Sequence, residues 1–240
     1  MINDKIERLT FFDDYPPEKW LYISLQNVRS ISMHLNDVLL DPIMQASSIL
    51  CLTETSQSEK NWSGWNKFSN FDVYTHMRNE TSKNVDNHRK SGGVAVLVKK
   101  ELGSKNPYSL DTDLEMLSIN VKWVNEPGCI TCVYKDHSMP KPLFINKMKK
   151  VFESSLAKPS IIAGDFNLHD DTNKYNGLLN SYALENNFIH LVNESTTING
   201  HILDQIYVND ENYLNSYKII NLPSYFSDHN LIVLCIKKEK

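Results

Sequence analysis

SIIAGDFN, residues 160–167, is an apolar run that breaks into a polar turn, and the fold is read outward from it. Ser160 to Ala163 have the branched, apolar character of a buried strand, and Gly164 with Asp165-Phe166-Asn167 ends it. A strand of this kind delivers a carboxylate and an amide to the rim of a sheet. The device recurs in LYISLQNV (21–28), SSILCLT (47–53), GVAVLVK (93–99), EMLSINVKWV (115–124), CITCVY (129–134), ILDQIYV (202–208), YKIINL (217–222) and LIVLCIK (231–237). These runs are rich in Ile, Val, Leu and Tyr and are bounded by Asn, Asp, Gly or Pro.

Helix-length segments are few. One spans 34–45 and is interrupted by Pro42; a second, 143–156, carries apolar residues at Phe144, Ile145, Met148, Val151, Phe152 and Leu156; a third spans 176–186. Many strands and few helices, without strict βαβ alternation, predict an α/β fold of two mostly antiparallel sheets flanked by helices. A chain of 240 residues fits one large domain of this kind. Residues 1–19, with Tyr15-Pro16-Pro17, read as a leader or linker, and 20–240 as the domain. The polar stretch 78–91 reads as a surface loop.

Composition narrows the class. Hydrophobic residues make up 41% and charged residues 22%, which suits a folded domain that needs no disulfides. A net charge of −4 excludes a globally basic nucleic-acid binder but leaves room for a local basic face. No run reaches the length of a membrane span, and the first residues lack the apolar core of a secretory signal. Cys51, Cys129, Cys132 and Cys235 read as small buried hydrophobes, since Cys129-x-x-Cys132 has no second ligand pair.

Polar residues stand where the strand-like runs end. Asn27 closes the first and Glu54 follows the second; Tyr134 closes the Cys129 run; Asp204 lies within ILDQIYV; Ser227-Asp228-His229 precede the last. Each has a plain structural reading as a turn residue, a cap or a satisfied histidine. Their joint order is more specific: N, then E in T-E-T, Y, G-D-F-N, L-D and S-D-H. In Gln26-Asn27-Val28, Leu52-Thr53-Glu54-Thr55, Val133-Tyr134, Gly164-Asp165-Phe166-Asn167, Leu203-Asp204 and Ser227-Asp228-His229, the chain resembles the endonuclease/exonuclease/phosphatase superfamily. Asn27-Val28-Arg29-Ser30, Ser91-Gly92-Gly93-Val94 and Ile202-Leu203-Asp204 are similar to apurinic-type endonuclease domains of jockey-like non-LTR retrotransposons. Thr197-Ile198-Asn199-Gly200 and Tyr225-Phe226-Ser227-Asp228-His229 also look like helentron-type transposon endonucleases.

The resemblance implies a four-layered α/β sandwich of the DNase I-like type and a Mg²⁺-dependent DNA endonuclease, with Mn²⁺ able to substitute. Phosphodiester hydrolysis needs a hard cation, a water nucleophile, a group for its proton and donors for the anionic phosphorane. Glu54 is the leading metal ligand, with Asp228 and Asn27 beside it. Asp165 orients or deprotonates water, Asn167 donates to a phosphate oxygen, and Tyr134 contributes its hydroxyl. His229 serves as base or as phosphorane donor, held by Asp204, whose charge raises the imidazole pKa. Thr197, Ser227 and Arg29 are candidate substrate contacts; His190 and His201 read as structural or surface residues.

For the DNA surface, Arg29, Arg89, Lys90 and the 78–91 loop are candidate phosphate contacts. The Lys147-Met148-Lys149-Lys150 cluster reads as a solvated helix face, and Trp62 and Trp65 as packing residues. The expected partner is DNA rather than a membrane. The chain is expected to be a monomeric domain of a larger polypeptide that carries a reverse transcriptase or helicase, and a nuclear location follows from that substrate. Rival readings are an apurinic repair enzyme, an RNA or lipid phosphoesterase, and a degenerate DNA-binding or tethering module. Two departures bear on them. Lys135-Asp136-His137 stands where mobile-element domains more often carry an Arg/Pro-containing stretch, and Thr53 precedes Glu54 where repair enzymes usually have Gln.

Overall fold

The structure is a computed structural model that describes residues 2–57, 62–77, 92–109, 113–123, 126–155, 159–169, 174–209 and 217–238. Its helices, in chain order, are α1 (Ile2–Asp14), α2 (Ile31–Leu40), α3 (Pro42–Ala46), α4 (Lys141–Ser154) and α5 (Lys174–Glu185). The first strands are β1 (Trp20–Asn27), β2 (Ile49–Thr53), β3 (Phe71–His76), β4 (Val94–Lys99), β5 (Lys105–Tyr108) and β6 (Glu115–Trp123). They are followed by β7 (Glu126–Tyr134), β8 (Ser160–Asp165), β9 (Ile189–His190), β10 (Asp204–Val208), β11 (Tyr217–Leu222) and β12 (Leu231–Lys237).

The strands form two six-stranded sheets, ordered β11-β12-β1-β2-β4-β3 and β5-β6-β7-β8-β10-β9. Each contains one parallel pair, β1 with β2 and β7 with β8, among antiparallel neighbours. Both faces of the central strands are buried, which explains why they read as continuous apolar runs rather than alternating ones. Leu21, Ile23 and Leu25 of β1 and Ile161 and Ala163 of β8 meet between the sheets. Tyr22 packs outward under α1 to α3, and Ile162 outward under α4 and α5. The result is the expected layering of helices, sheet, sheet and helices.

Three strands escaped the sequence reading. β3 mixes Asp72, Thr75 and His76 with its apolar residues, β5 is wholly exposed, and β9 has two residues. All lie on or beside sheet edges, where burial does not impose an apolar pattern. The single helical segment read over 34–45 is two helices. Asp41 accepts hydrogen bonds from the Ile43 and Met44 amides at 3.0 Å, and Pro42 takes the first helical position, where no amide is needed. The 78–91 loop, Arg89 and Lys90 lie outside the described residues.

The segment read as a leader contains α1, and Phe11 from its last turns is buried 5.4 Å from the Tyr22 ring. Arg8 pairs with Asp41 and donates to the Pro223 carbonyl at 3.1 Å. Trp62 and Trp65 pack edge to face against the outer core of the first sheet. Met148 is buried, Lys147 is largely covered and pairs with exposed Asp113, and Lys150 is exposed, so only part of the expected solvated face is solvated. All four cysteines are free and buried. No helix among the described residues is long and apolar enough to cross a membrane.

Candidate active site

Strand register assembles the site. On the second sheet, Asp165 ends β8 and is paired on one side with Tyr134 at the end of β7 and on the other with Asp204 at the start of β10. On the first sheet, Asn27 ends β1 opposite Thr53, which puts Glu54 one residue beyond. Strand ends thus bring together residues as far apart in the chain as Asn27 and Asp204.

Gly164 is required for this. A Cβ on it would sit 1.8 Å from the Val133 carbonyl oxygen, so only glycine lets β8 run this close to β7. The turns beyond the strands are tightly set. Arg29, Glu54 and Asn167 have φ of 51°, 50° and 44°, in the left-handed region that side chains other than Asn disfavour. Such strain persists where the surrounding structure holds it, and here it aims functional groups.

One network spans both sheets. Asn27 Nδ2 donates to Glu54 Oε1 at 3.0 Å and to Asp165 Oδ2 at 2.9 Å, while its Oδ1 accepts from the Arg29 amide at 3.0 Å. The Tyr134 hydroxyl donates to the same Glu54 oxygen at 3.1 Å. Asp165 Oδ1 accepts the Asn167 amide at 3.0 Å, and Asn167 Nδ2 donates to the Lys135 carbonyl at 2.9 Å. His229 Nδ1 lies 2.8 Å from Asp204 Oδ2, leaving Nε2 to face Asp165 Oδ2 at 4.0 Å. That gap is too long for a direct hydrogen bond.

Asp165, Asp204, Asn27 and Tyr134 are at most 1% exposed, so the carboxylate charges act through protein rather than water. Burial raises the Asp165 carboxyl to about 7, helped by the Asp204 charge and opposed by His229, Asn27 and the Asn167 amide. Burial pulls His229 down, but Asp204, Asp165 and Asp228 outweigh it and lift the imidazole to about 9. Burial, and then the charges of Glu54, Asp165 and Glu115, push the Tyr134 phenol far above its ordinary range, so it stays a donor.

The remaining candidates take other places. Asp228 is held by Arg29, whose Nε lies 2.7 Å from Oδ1 and whose Nη2 lies 2.7 Å from Oδ2. The Ser227 hydroxyl donates to the Asn27 carbonyl at 2.8 Å and accepts the His229 amide at 3.2 Å. Thr197 Oγ1 accepts the His201 amide at 3.1 Å. These hydroxyls fix backbone, which is the turn role open to them from the sequence. His190, partly buried on the edge strand β9, lies tilted against the Tyr207 ring at 4.9 Å, and His201 is exposed.

Some residues of consequence gave little signal. Gln26 is buried and donates to the Asn27 and His229 carbonyls at 2.9 and 3.0 Å, tying β1 to the S-D-H turn. Thr196 Oγ1 accepts the Leu203 and Asp204 amides at 3.0 and 3.1 Å and sets the entry of β10. The Glu115 carboxylate accepts the Gly93 amide beside Thr55. A glutamine inside an apolar strand was the one available cue.

The Glu54 carboxylate suits a hard divalent cation and among the described residues no thiolate stands beside it, while Asn27 turns Nδ2 to Glu54 and its oxygen to the Arg29 amide. Both described bonds to Glu54 fall on Oε1. Among the described residues, the His, Cys, Asp and Glu ligand atoms that converge in a group of three, within 4.8 Å, belong to Asp165, Asp204 and His229. That trio already contains the His229–Asp204 bond and is arranged for proton handling.

A model of the Endonuclease/Exonuclease/phosphatase family matches residues 25–229. The endonuclease domain of TRAS1, a telomere-specific non-LTR retrotransposon, is similar in structure with a TM-score of 0.70, 15% identity, and coverage of 92% of this chain and 100% of that one. The human Nocturnin catalytic domain aligns at 0.67 and 16% identity, covering 92% and 94%. An AP endonuclease from Archaeoglobus fulgidus aligns at 0.64 and 15% identity, covering 89% and 98%. No curated protein matches by sequence.

Proposed function

From the premise that the chain belongs to the Endonuclease/Exonuclease/phosphatase family, a family of hydrolytic nucleases and phosphatases, we propose that it is a Mg²⁺-dependent DNA endonuclease. On this reading it nicks one strand as the endonuclease domain of a transposable-element protein. The observation that carries it is the approach, across the two sheets, of Asp204-bound His229 to Asp165 Oδ2 at 4.0 Å, an oxygen that Asn27 also holds, while the Asn167 amide holds Oδ1.

Glu54 would hold the cation, with Asn27 close by and Asp228 within the neighbouring turn. The bound cation would polarise a phosphoryl oxygen and stabilise the leaving alkoxide. The rest is work for the chain's own side chains. Asp165, with a carboxyl near 7, accepts the proton of the attacking water. His229, charged at neutral pH, presents Nε2 as a donor to the phosphorane, and Asp204 keeps Nδ1 protonated and the ring in place. Tyr134 and Asn167 supply further fixed donors. The likeness to the TRAS1 endonuclease domain supports the transposable-element assignment; a larger polypeptide and a nuclear location are proposed along with it.

Nicking of supercoiled plasmid in Mg²⁺, compared with EDTA and with Asp165→Ala and His229→Ala, tests the reading. Metal-dependent relaxation lost in both variants is the expected result. Intact plasmid together with hydrolysis of an RNA or phospholipid ester would replace the substrate; inactivity on all three would leave a binding module.

A further inference from the structure

His137, His169 and His201 come from three separate segments and meet at the surface beside the reaction centre. The His137 and His169 rings stack with centroids 6.5 Å apart, and His201 meets His169 edge to face at 5.0 Å. All three are exposed. Their position follows from the catalytic strands, since His137 lies three residues past Tyr134, His169 two past Asn167 and His201 three before Asp204. Asn167 clamps the first two segments together through the Lys135 carbonyl.

The surroundings are donors. Lys141 donates to the His169 carbonyl and lies 5.8 Å from the Tyr175 ring. The same residue opens α4, whose N-terminus no side chain caps. The positive end of that helix therefore adds to the field. Lys135 is buried, with its ammonium on the Asp136 carbonyl at 3.1 Å, and the Asp136 carboxylate is turned to Ser138. Partial burial and the positive charges of His201, His137, Lys141 and Lys135 hold the His169 imidazole below its ordinary pKa, so these groups share one field. Two ammoniums and a helix N-terminus disfavour a cation here, and among the described residues these ring nitrogens do not form a convergent ligand trio.

We propose that His137, His169 and His201, with Lys135, Lys141 and the start of α4, form a subsite for a second phosphate group next to the one that is cleaved. The inference rests on the reading of the neighbouring site as a phosphodiesterase centre. The phosphate belongs either to the adjoining nucleotide of a strand or to a terminal phosphate of a smaller ester. Imidazole and ammonium groups gathered at the surface would donate charge-assisted hydrogen bonds to either.

The test compares wild type with Lys141→Gln/His169→Gln, both surface residues outside the groups assigned to catalysis. Affinities are measured in EDTA for a fluorescein-labelled 12-nucleotide single strand and for inorganic pyrophosphate, and hydrolysis of bis(4-nitrophenyl) phosphate is followed in Mg²⁺. The expected result is about a tenfold loss of affinity for both ligands, with the salt slope on the strand shallower by about 0.7 per lost phosphate contact. Hydrolysis of the small diester, which has one phosphate, stays at the wild-type rate. Loss for pyrophosphate alone would keep the subsite and assign it to a small phosphorylated ester, so that only the DNA reading falls. Unchanged pyrophosphate binding overturns the subsite, and so does loss of bis(4-nitrophenyl) phosphate hydrolysis, which would put these residues in the reaction centre.

Discussion

Asp204 and His229 join the two sheets at the candidate active site: Asp204 Oδ2, on the first residue of β10, lies 2.8 Å from Nδ1 of His229, two residues before β12. Both groups are buried, and the pairing fixes which imidazole nitrogen faces Asp165. Asp204→Asn keeps a hydrogen-bonding shape and removes the charge that favours the imidazolium. The expected outcome is a fall in kcat of about 10²–10⁴ with KM little changed. Plasmid-nicking kinetics check this, and an equal rise in KM alone would contradict it.

On the proposed mechanism, with Asp165 as carboxylate base and His229 as imidazolium donor, the pH profile should be a bell. Asp165 works as carboxylate, so activity rises as pH climbs through about 7, the value to which burial and Asp204 raise it. His229 works as imidazolium, so activity is lost as pH rises through about 9, where its carboxylate neighbours set it. Single-turnover rates from pH 5 to 10 read both limbs. The alkaline limb should move to lower pH in Asp204→Asn.

Glu54→Gln leaves the volume and removes the charge at the one oxygen that Asn27 and Tyr134 both address. Its half-saturating Mg²⁺ should rise at least about tenfold, since even supporting groups of a metal site contribute that much. Activity titrated against Mg²⁺ gives the number, and an unchanged curve would move the cation elsewhere.

Gly164→Ala places a methyl 1.8 Å from the Val133 carbonyl, where backbone cannot yield. The cost should be about 3 kcal/mol or more. At this chain length that lowers the thermal midpoint by about 6–12 °C. Differential scanning calorimetry tests it, and Asp165 chemistry should suffer even at temperatures where the fold survives.

Phe11→Ala asks whether α1 belongs to the folded unit. Its ring is 2% exposed and packs on Tyr22, so truncation should cost about 3–5 kcal/mol. A denaturation curve indistinguishable from wild type would return residues 1–19 to the status of a leader.

Nine of the twelve strands could be read from residues alone because central strands buried on both faces must be apolar throughout, and the chain shows that as continuous runs. The polar residues at their ends stood out for the same reason: Asn27, Glu54, Tyr134, Asp165 and Asp204 interrupt or close runs that are otherwise unmarked. Three of the four edge strands were illegible: β3 mixes polar residues into a half-buried strand, β5 is exposed and β9 has two residues, whereas the edge strand β11 kept an apolar run. α1 was illegible too: its apolar residues Ile6, Leu9, Phe11 and Phe12 are interspersed with charges, and Phe11 acquires meaning only beside Tyr22.

Sequence by itself determined the strands, the rim residues and their order, because local burial and turn chemistry are written within a few residues of each other. Tertiary structure decided who meets whom. Asp228, a candidate ligand in the sequence, is held by Arg29, and Ser227 and Thr197 spend their hydroxyls on backbone. Three histidines without any shared motif become neighbours at 5.0 and 6.5 Å. Those pairings depend on strand register and on the packing of one sheet against the other, which are sums over many contacts far apart in the chain and leave no local pattern to read.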